Sequence, residues 1–72
     1  MTNKELGHHI GVSPSMASRI RNGERLPSIK VLIPLADCLG VSIERLILAH
    51  TQGPEFFGQT VRYAIEKRGY NG

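Results

Sequence analysis

GVSPSMASRIRNG, residues 11–23, decides how the chain is read. Gly11 supplies the left-handed residue that ends a helix. Ser13 carries an oxygen able to cap the exposed amides of the next helix, and Pro14 sits at the first helical position, where a missing N–H costs nothing. The segment predicts a helix that starts at 14 and ends at Asn22-Gly23. Its inward residues are Ala17 and Ile20, three apart, with Met16 at the margin; Ser15, Ser18, Arg19, Arg21 and Asn22 are expected to face out. So small an apolar face beside two arginines calls for a reason other than packing.

Working outward, residues 3–10 predict a preceding helix, opened by a Thr2–Glu5 capping box, with Leu6 and Ile10 on one face. After residue 23 the linker GERLPS leads into a third segment, 28–39, closed by Gly40. Pro34 falls inside it and predicts either a kink or a first turn distinct from the rest, because an interior proline deletes a backbone bond. The apolar set Val31, Leu32, Leu35, Ala36 and Leu39 marks the element as buried all the same. Ser42 caps a fourth segment running through Ile43, Leu46 and Ile47 to about 49, and Gly53-Pro54 breaks it. A fifth, 55–68, repeats Phe57, Val61, Ala64 and Ile65 on one face and is expected to stop at Gly69. Nothing alternates with the period of a strand, so the chain reads as all-α.

At 72 residues this is one expected domain, 1–72, divided into 2–23, 28–49 and 54–69. One cysteine, Cys38, excludes an intrachain disulfide framework, and three histidines without a cysteine partner give a structural zinc little to bind. His8 and His9 are adjacent on a helix and do not face each other, so they read as solvated. The stretch VLIPLA, 31–36, is far short of a membrane span, and MTNKEL is too polar for a signal peptide. A soluble, reduced, cytoplasmic protein is expected. Residues 1–30 hold Lys4, Arg19, Arg21, Arg25 and Lys30 against Glu5 and Glu24, whereas residues 31–72 are balanced. The net charge of +3 therefore lies with the organised turn, which favours a polyanionic partner. No paired carboxylates, phosphate loop or Ser-His-Asp or Cys-His arrangement stands out, so an enzyme is not expected, nor a metal, cofactor or small-molecule substrate.

Two short helices joined by Gly-x-Ser, the second opened by proline, meet the description of a helix-turn-helix. Gly7 lets the pair approach closely, and Leu6, Ile10, Val12, Ala17 and Ile20 close the angle between them. ELGHHIGVSPSMASRIRNGERLPSIKVLIPLADCLGVSIERLI resembles the Cro/XRE-type, lambda-repressor-like helix-turn-helix domain of phage and bacterial repressors. That family's pattern is E-L-A-x-x-[IVL]-G-[VL]-S and [ST]-x-[IVL]-[ST]-x-[IW]-E-x-G, followed by P-[ST] and L-A-x-x-L-G-V-S, and the match covers roughly residues 2–49. The chain departs from it at Gly7, where alanine is usual, at Ala17, where a branched residue is usual, at Arg21, where glutamate is frequent, and at Pro34. The first two are expected to loosen the core slightly, and Arg21 to add charge on the DNA side.

The resemblance implies a sequence-specific, double-stranded DNA-binding transcriptional regulator, most simply a Cro-like repressor, that docks helix 14–22 in the major groove. Carried over residue by residue, it makes Pro14, Ser15, Met16 and Arg19 the base-reading candidates. Arg19 leads, because a guanidinium binds guanine O6 and N7 bidentately. Phosphates fall to Asn3, Ser13, Asn22, Arg25 and Lys30, with Lys4, Ser18 and Arg21 as second-rank contacts. A homodimer, formed in solution or only on DNA, is the family's habit. The alternative is a protein-interaction module, antitoxin- or antirepressor-like, that uses the helix-turn-helix as a scaffold. The family also begins with a helix of about a dozen residues for which this chain has no room. FGQTVRYAIEKRG, residues 57–69, is similar to that helix, so a five-helix domain with the first helix in rotated order is expected. The other reading of 54–69 is an ordinary C-terminal amphipathic helix whose Phe56, Phe57 and Tyr63 build a dimer face.

Overall fold

The computed structural model describes residues 1–67. The first helix, α1, spans Asn3–Ile10 and is held at its start by the expected capping box. Thr2 N–H donates to Glu5 Oε1 at 2.8 Å, and Glu5 N–H donates to Thr2 Oγ1 at 3.1 Å, so two of the amides that helix geometry leaves unpaired find partners. Gly11 ends the helix with φ 75°, a conformation open to glycine without Cβ strain. The second helix, α2, spans Pro14–Arg21, and Ser13 Oγ accepts from Met16 N–H at 3.1 Å.

Gly7 is buried where α1 crosses the start of α2. A Cβ there would stand 2.6 Å from the Val12 carbonyl oxygen and 3.1 Å from that of Ser13. The expectation that glycine at this position loosens the core is corrected: the two backbones already occupy the space a methyl would need. Ala17 is likewise fully buried, so a larger residue would have to displace its neighbours.

Pro34 produces the distinct first turn, not a kink. A 3-10 turn over Ile29–Val31 runs into α3, Leu32–Leu39, which places Pro34 third in the helix. Amides there have no intrahelical acceptor, so proline forfeits no bond. The helix buries Leu32, Leu35, Ala36 and Leu39 and is closed by Gly40 at φ 69°. The fourth helix, α4, spans Ile43–Thr51, two residues beyond the expected end, and starts with Arg45 N–H donating to Ser42 Oγ at 3.3 Å. The extension brings His50 inward, where Nε2 donates to the Pro27 carbonyl at 2.9 Å and the ring lies edge-on to Phe57. Leu46 and Ala49 fill the inner face of α4, which leaves Ile47 45% exposed.

The last helix, α5, spans Pro54–Lys67; its expected stop at Gly69 lies outside the described residues. Phe57 and Val61 are fully buried and Ala64 and Ile65 nearly so, in the same core as Leu6, Ile20, Leu35 and Leu46. The apolar face of α5 thus packs in cis on α2, α3 and α4, and Phe57 is no part of an outer face. Phe56 and Tyr63 remain about half exposed. All regular structure among the described residues is helical.

Candidate nucleic-acid interface

Burial of Ala17 and Ile20 fixes which side of α2 looks outward. Ser15 and Arg19 are one turn apart and Arg19 and Asn22 three residues apart, so the three form one stripe, and all are exposed. Pro14 is exposed at the head of the stripe. Met16 is half-buried and packed against the core, which leaves only its edge to the surface. Ser18 is half-buried and its Oγ accepts from Asn22 Nδ2 at 3.3 Å, pinning the end of the stripe.

The phosphate-side candidates lie around this helix. Ser13 is exposed; its hydroxyl accepts within the cap and keeps its own proton to donate. Asn3, at the start of α1, is half-buried with Oδ1 engaged by Arg21, which leaves Nδ2 as its donor. Arg25 and Lys30 are exposed in the segment between α2 and α3. Lys4 is exposed and, with Glu5, His8, His9, Val12 and Pro14, lines an open cleft of about 480 Å³ between α1 and the start of α2. His8 and His9 are both exposed, as expected of solvated residues, but their rings, expected not to face each other, meet edge-on at 6.2 Å.

Arg21 departs from expectation. It is half-buried, and its Nη1 donates to the Met1 carbonyl at 2.7 Å and to Asn3 Oδ1 at 3.4 Å. Its charge is turned toward the start of α1 and is not presented beside Arg19. The spacing carried this signal: Arg21 follows the buried Ala17 by four residues and so shares its side of the helix.

The C-terminal carbonyls of α2 are all accounted for. Ser18 O accepts from Asn22 N–H at 2.9 Å, Arg19 O from Glu24 N–H at 2.9 Å and Ile20 O from Gly23 N–H at 3.2 Å. Arg21 O accepts from Arg62 Nη1 of α5. A cation at this end also suits the helix dipole. Beside it, a Cβ on Gly58 would stand 2.6 Å from both Cα and N of Gly23, so α5 meets the turn after α2 backbone to backbone. Neither Arg62 nor Gly58 was singled out from the sequence as part of the site. A glycine next to Phe57 and three before Val61, on an apolar face, is the signal that would have found Gly58.

Glu5 lies at the start of α1 beside this surface. Its carboxyl is held below its ordinary range, chiefly by the backbone N–H of Thr2 and then by the Thr2 side chain. Ionised, it suits the positive end of α1.

The geometry is that of two short helices crossing through a glycine contact, the second offering a polar, cationic stripe. The helix-turn-helix family profile matches residues 1–46, well over half of the chain. The chain belongs to that family, of the Cro/C1 type with a lambda-repressor-like helical fold, and is a DNA-binding regulator. Among curated proteins and among solved structures, nothing matches the chain. Among the described residues, no helix is long and apolar enough to cross a membrane, and no group of three or more His, Cys, Asp or Glu is placed to hold a metal ion.

Proposed function

We propose that this chain is a sequence-specific repressor of the Cro-like kind, acting in the cytoplasm of a prokaryotic or phage-infected cell by occupying an operator. In this reading α2 enters the major groove, Arg19 reads guanine, Ser15 hydrogen-bonds a neighbouring base, and Pro14 and the edge of Met16 offer apolar contact. Asn3, Ser13, Asn22, Arg25 and Lys30 grip phosphates, with Lys4 and Ser18 behind them. Arg21 drops out of the DNA contacts, since its guanidinium is turned to the Met1 carbonyl and Asn3. The observation that carries the reading is the exposed stripe Ser15, Arg19 and Asn22 on a helix whose opposite side is anchored in the core.

The whole of 1–72 acts as one unit, with α5 in the place of the family's first helix, in rotated order. Support for this comes from the burial of Phe57, Val61, Ala64 and Ile65 against α2, α3 and α4. Two copies occupy two half-sites. The exposed Leu48, Phe56 and Tyr63 on α4 and α5 offer apolar surface for that pairing.

Selection of bound sequences from random duplex DNA tests the reading. Enrichment of a defined, near-palindromic site is expected, with a slope of log affinity against log salt near −2.7 for the three phosphate-side cations Lys4, Arg25 and Lys30, at about −0.9 each. Failure to retain any duplex at low salt would hand the chain to the protein-interaction alternative.

A further inference from the structure

We propose that Arg62, on α5, is a positioning residue for DNA binding: with Arg21 it forms a two-guanidinium relay that sets where Asn3 and the start of α1 stand relative to α2. The proposal rests on the DNA-binding reading above and adds to it a residue outside the helix-turn-helix.

The relay has two links, neither of them local. Arg62 Nη1 donates to the carbonyl of Arg21, the last residue of α2, across 41 positions of sequence. Arg21 Nη1 donates to the Met1 carbonyl, 20 positions away, and to Asn3 Oδ1. One residue thus accepts from α5 through its main chain and donates to the head of α1 through its side chain. The first link is built in: Gly58 and Gly23 put the backbones in contact, and Arg62 stands one turn beyond Gly58 on the same side of α5. The α2 carbonyls before Arg21 find main-chain partners close by, so only the last depends on a distant helix.

The second link fixes a part of the candidate interface. Asn3 Oδ1 is taken by Arg21, which turns the carboxamide so that Nδ2 is the group left to donate. The Met1 carbonyl, held by the same guanidinium, keeps the chain from fraying ahead of the capping box. A planar guanidinium suits this work, because the two hydrogens of Nη1 lie in its plane at fixed angles toward the two acceptors, whereas an ammonium's donors rotate. Displacing α5 therefore disturbs the end of the reading helix and, through Arg21, a phosphate-side donor on another helix.

The test compares full-length wild type with Arg62→Ala and Arg62→Lys. In DNA-free protein, Arg62→Ala is expected to shift the NMR signals of the Asn3 side-chain amide and of the first α1 backbone amides. Unmoved Asn3 signals overturn the relay, whether or not the protein binds DNA. On a duplex recovered by selection, Arg62→Ala is expected to bind about tenfold more weakly, the loss of one charge-assisted hydrogen bond. The salt slope should stay at the wild-type value, because Asn3 is neutral and no cation at a phosphate is removed. A slope shallower by about 0.9 would make Arg62 a direct phosphate ligand, and unchanged affinity would make it a bystander; either overturns the proposal. Arg62→Lys keeps the charge but replaces the planar N–H aimed at the Arg21 carbonyl by a shorter, rotating ammonium and should recover only part of the affinity; should the alanine variant fail to fold, the lysine variant carries both measurements. If wild type retains no duplex, the DNA role falls with the reading it rests on, while the Asn3 signals still decide the relay.

Discussion

Arg19 and Arg21 lie two positions apart on one helix and do different work. Arg19 is exposed on the stripe with Ser15 and Asn22, whereas Arg21 is drawn to the Met1 carbonyl and Asn3. Replacing each cation should therefore give a distinct signature. Arg19→Ala should weaken binding to the preferred site by about 1–3 kcal/mol and relax selectivity at one base pair, read by competition between matched and mismatched duplexes. Arg25→Ala or Lys30→Ala should weaken all duplexes alike and flatten the salt slope by about one. An Arg19→Ala variant with unaltered selectivity would remove that residue from base reading. The charge pattern and capping chemistry at this scale were legible in the sequence. Arg21, expected to face out, turns inward as its spacing from Ala17 allows, toward acceptors at the start of α1 that only folding brings within reach.

Among the elements, α1 depends on its capping box and α5 on a backbone contact. Glu5 titrates lower in the fold than its ordinary value of 4.5, so its ionised form contributes stability above that pH and loses it as pH falls through the lowered value. Wild type should melt above Glu5→Gln at neutral pH, and the gap should close on acidification below 4.5. A gap independent of pH would assign the effect to shape and not to charge. For α5, Gly58→Ala places a methyl 2.6 Å from the Gly23 backbone and should cost about 1–3 kcal/mol in urea unfolding. The exposed neighbouring Gln59→Ala serves as the neutral control. Helix positions were readable from caps, glycines and prolines, because these act within one turn. The end of α4 was not, because His50 extends it toward a carbonyl in the α2–α3 linker, and the spacing within α4 holds no trace of that partner.

For the molecule as a whole, α5 completes the core. Phe57, Val61 and Ile65 bury side chains worth about 1.5–3 kcal/mol each, and their sum is comparable with the roughly 5–15 kcal/mol that holds a small domain together. A chain ending at Gly53 should accordingly lose cooperative thermal melting by circular dichroism. A truncated chain that still melts in one sharp transition would reduce α5 to an accessory and undo the rotated-order reading. The order of elements was partly legible, since residues 57–69 resemble a first helix and carry an apolar face. That this face turns back onto its own α2, α3 and α4 was one of the alternatives left open.

By itself the sequence determined the helical class, the capped helix-turn-helix and the side of α2 free to meet a polyanion, because capping, glycine conformation and helical periodicity are local. Tertiary structure alone decided that Gly58 is a site of backbone contact, which acceptors Arg21 takes and that Arg62 closes the reading helix. Each of these depends on groups distant in the chain, whose approach is set by how the helices share one core.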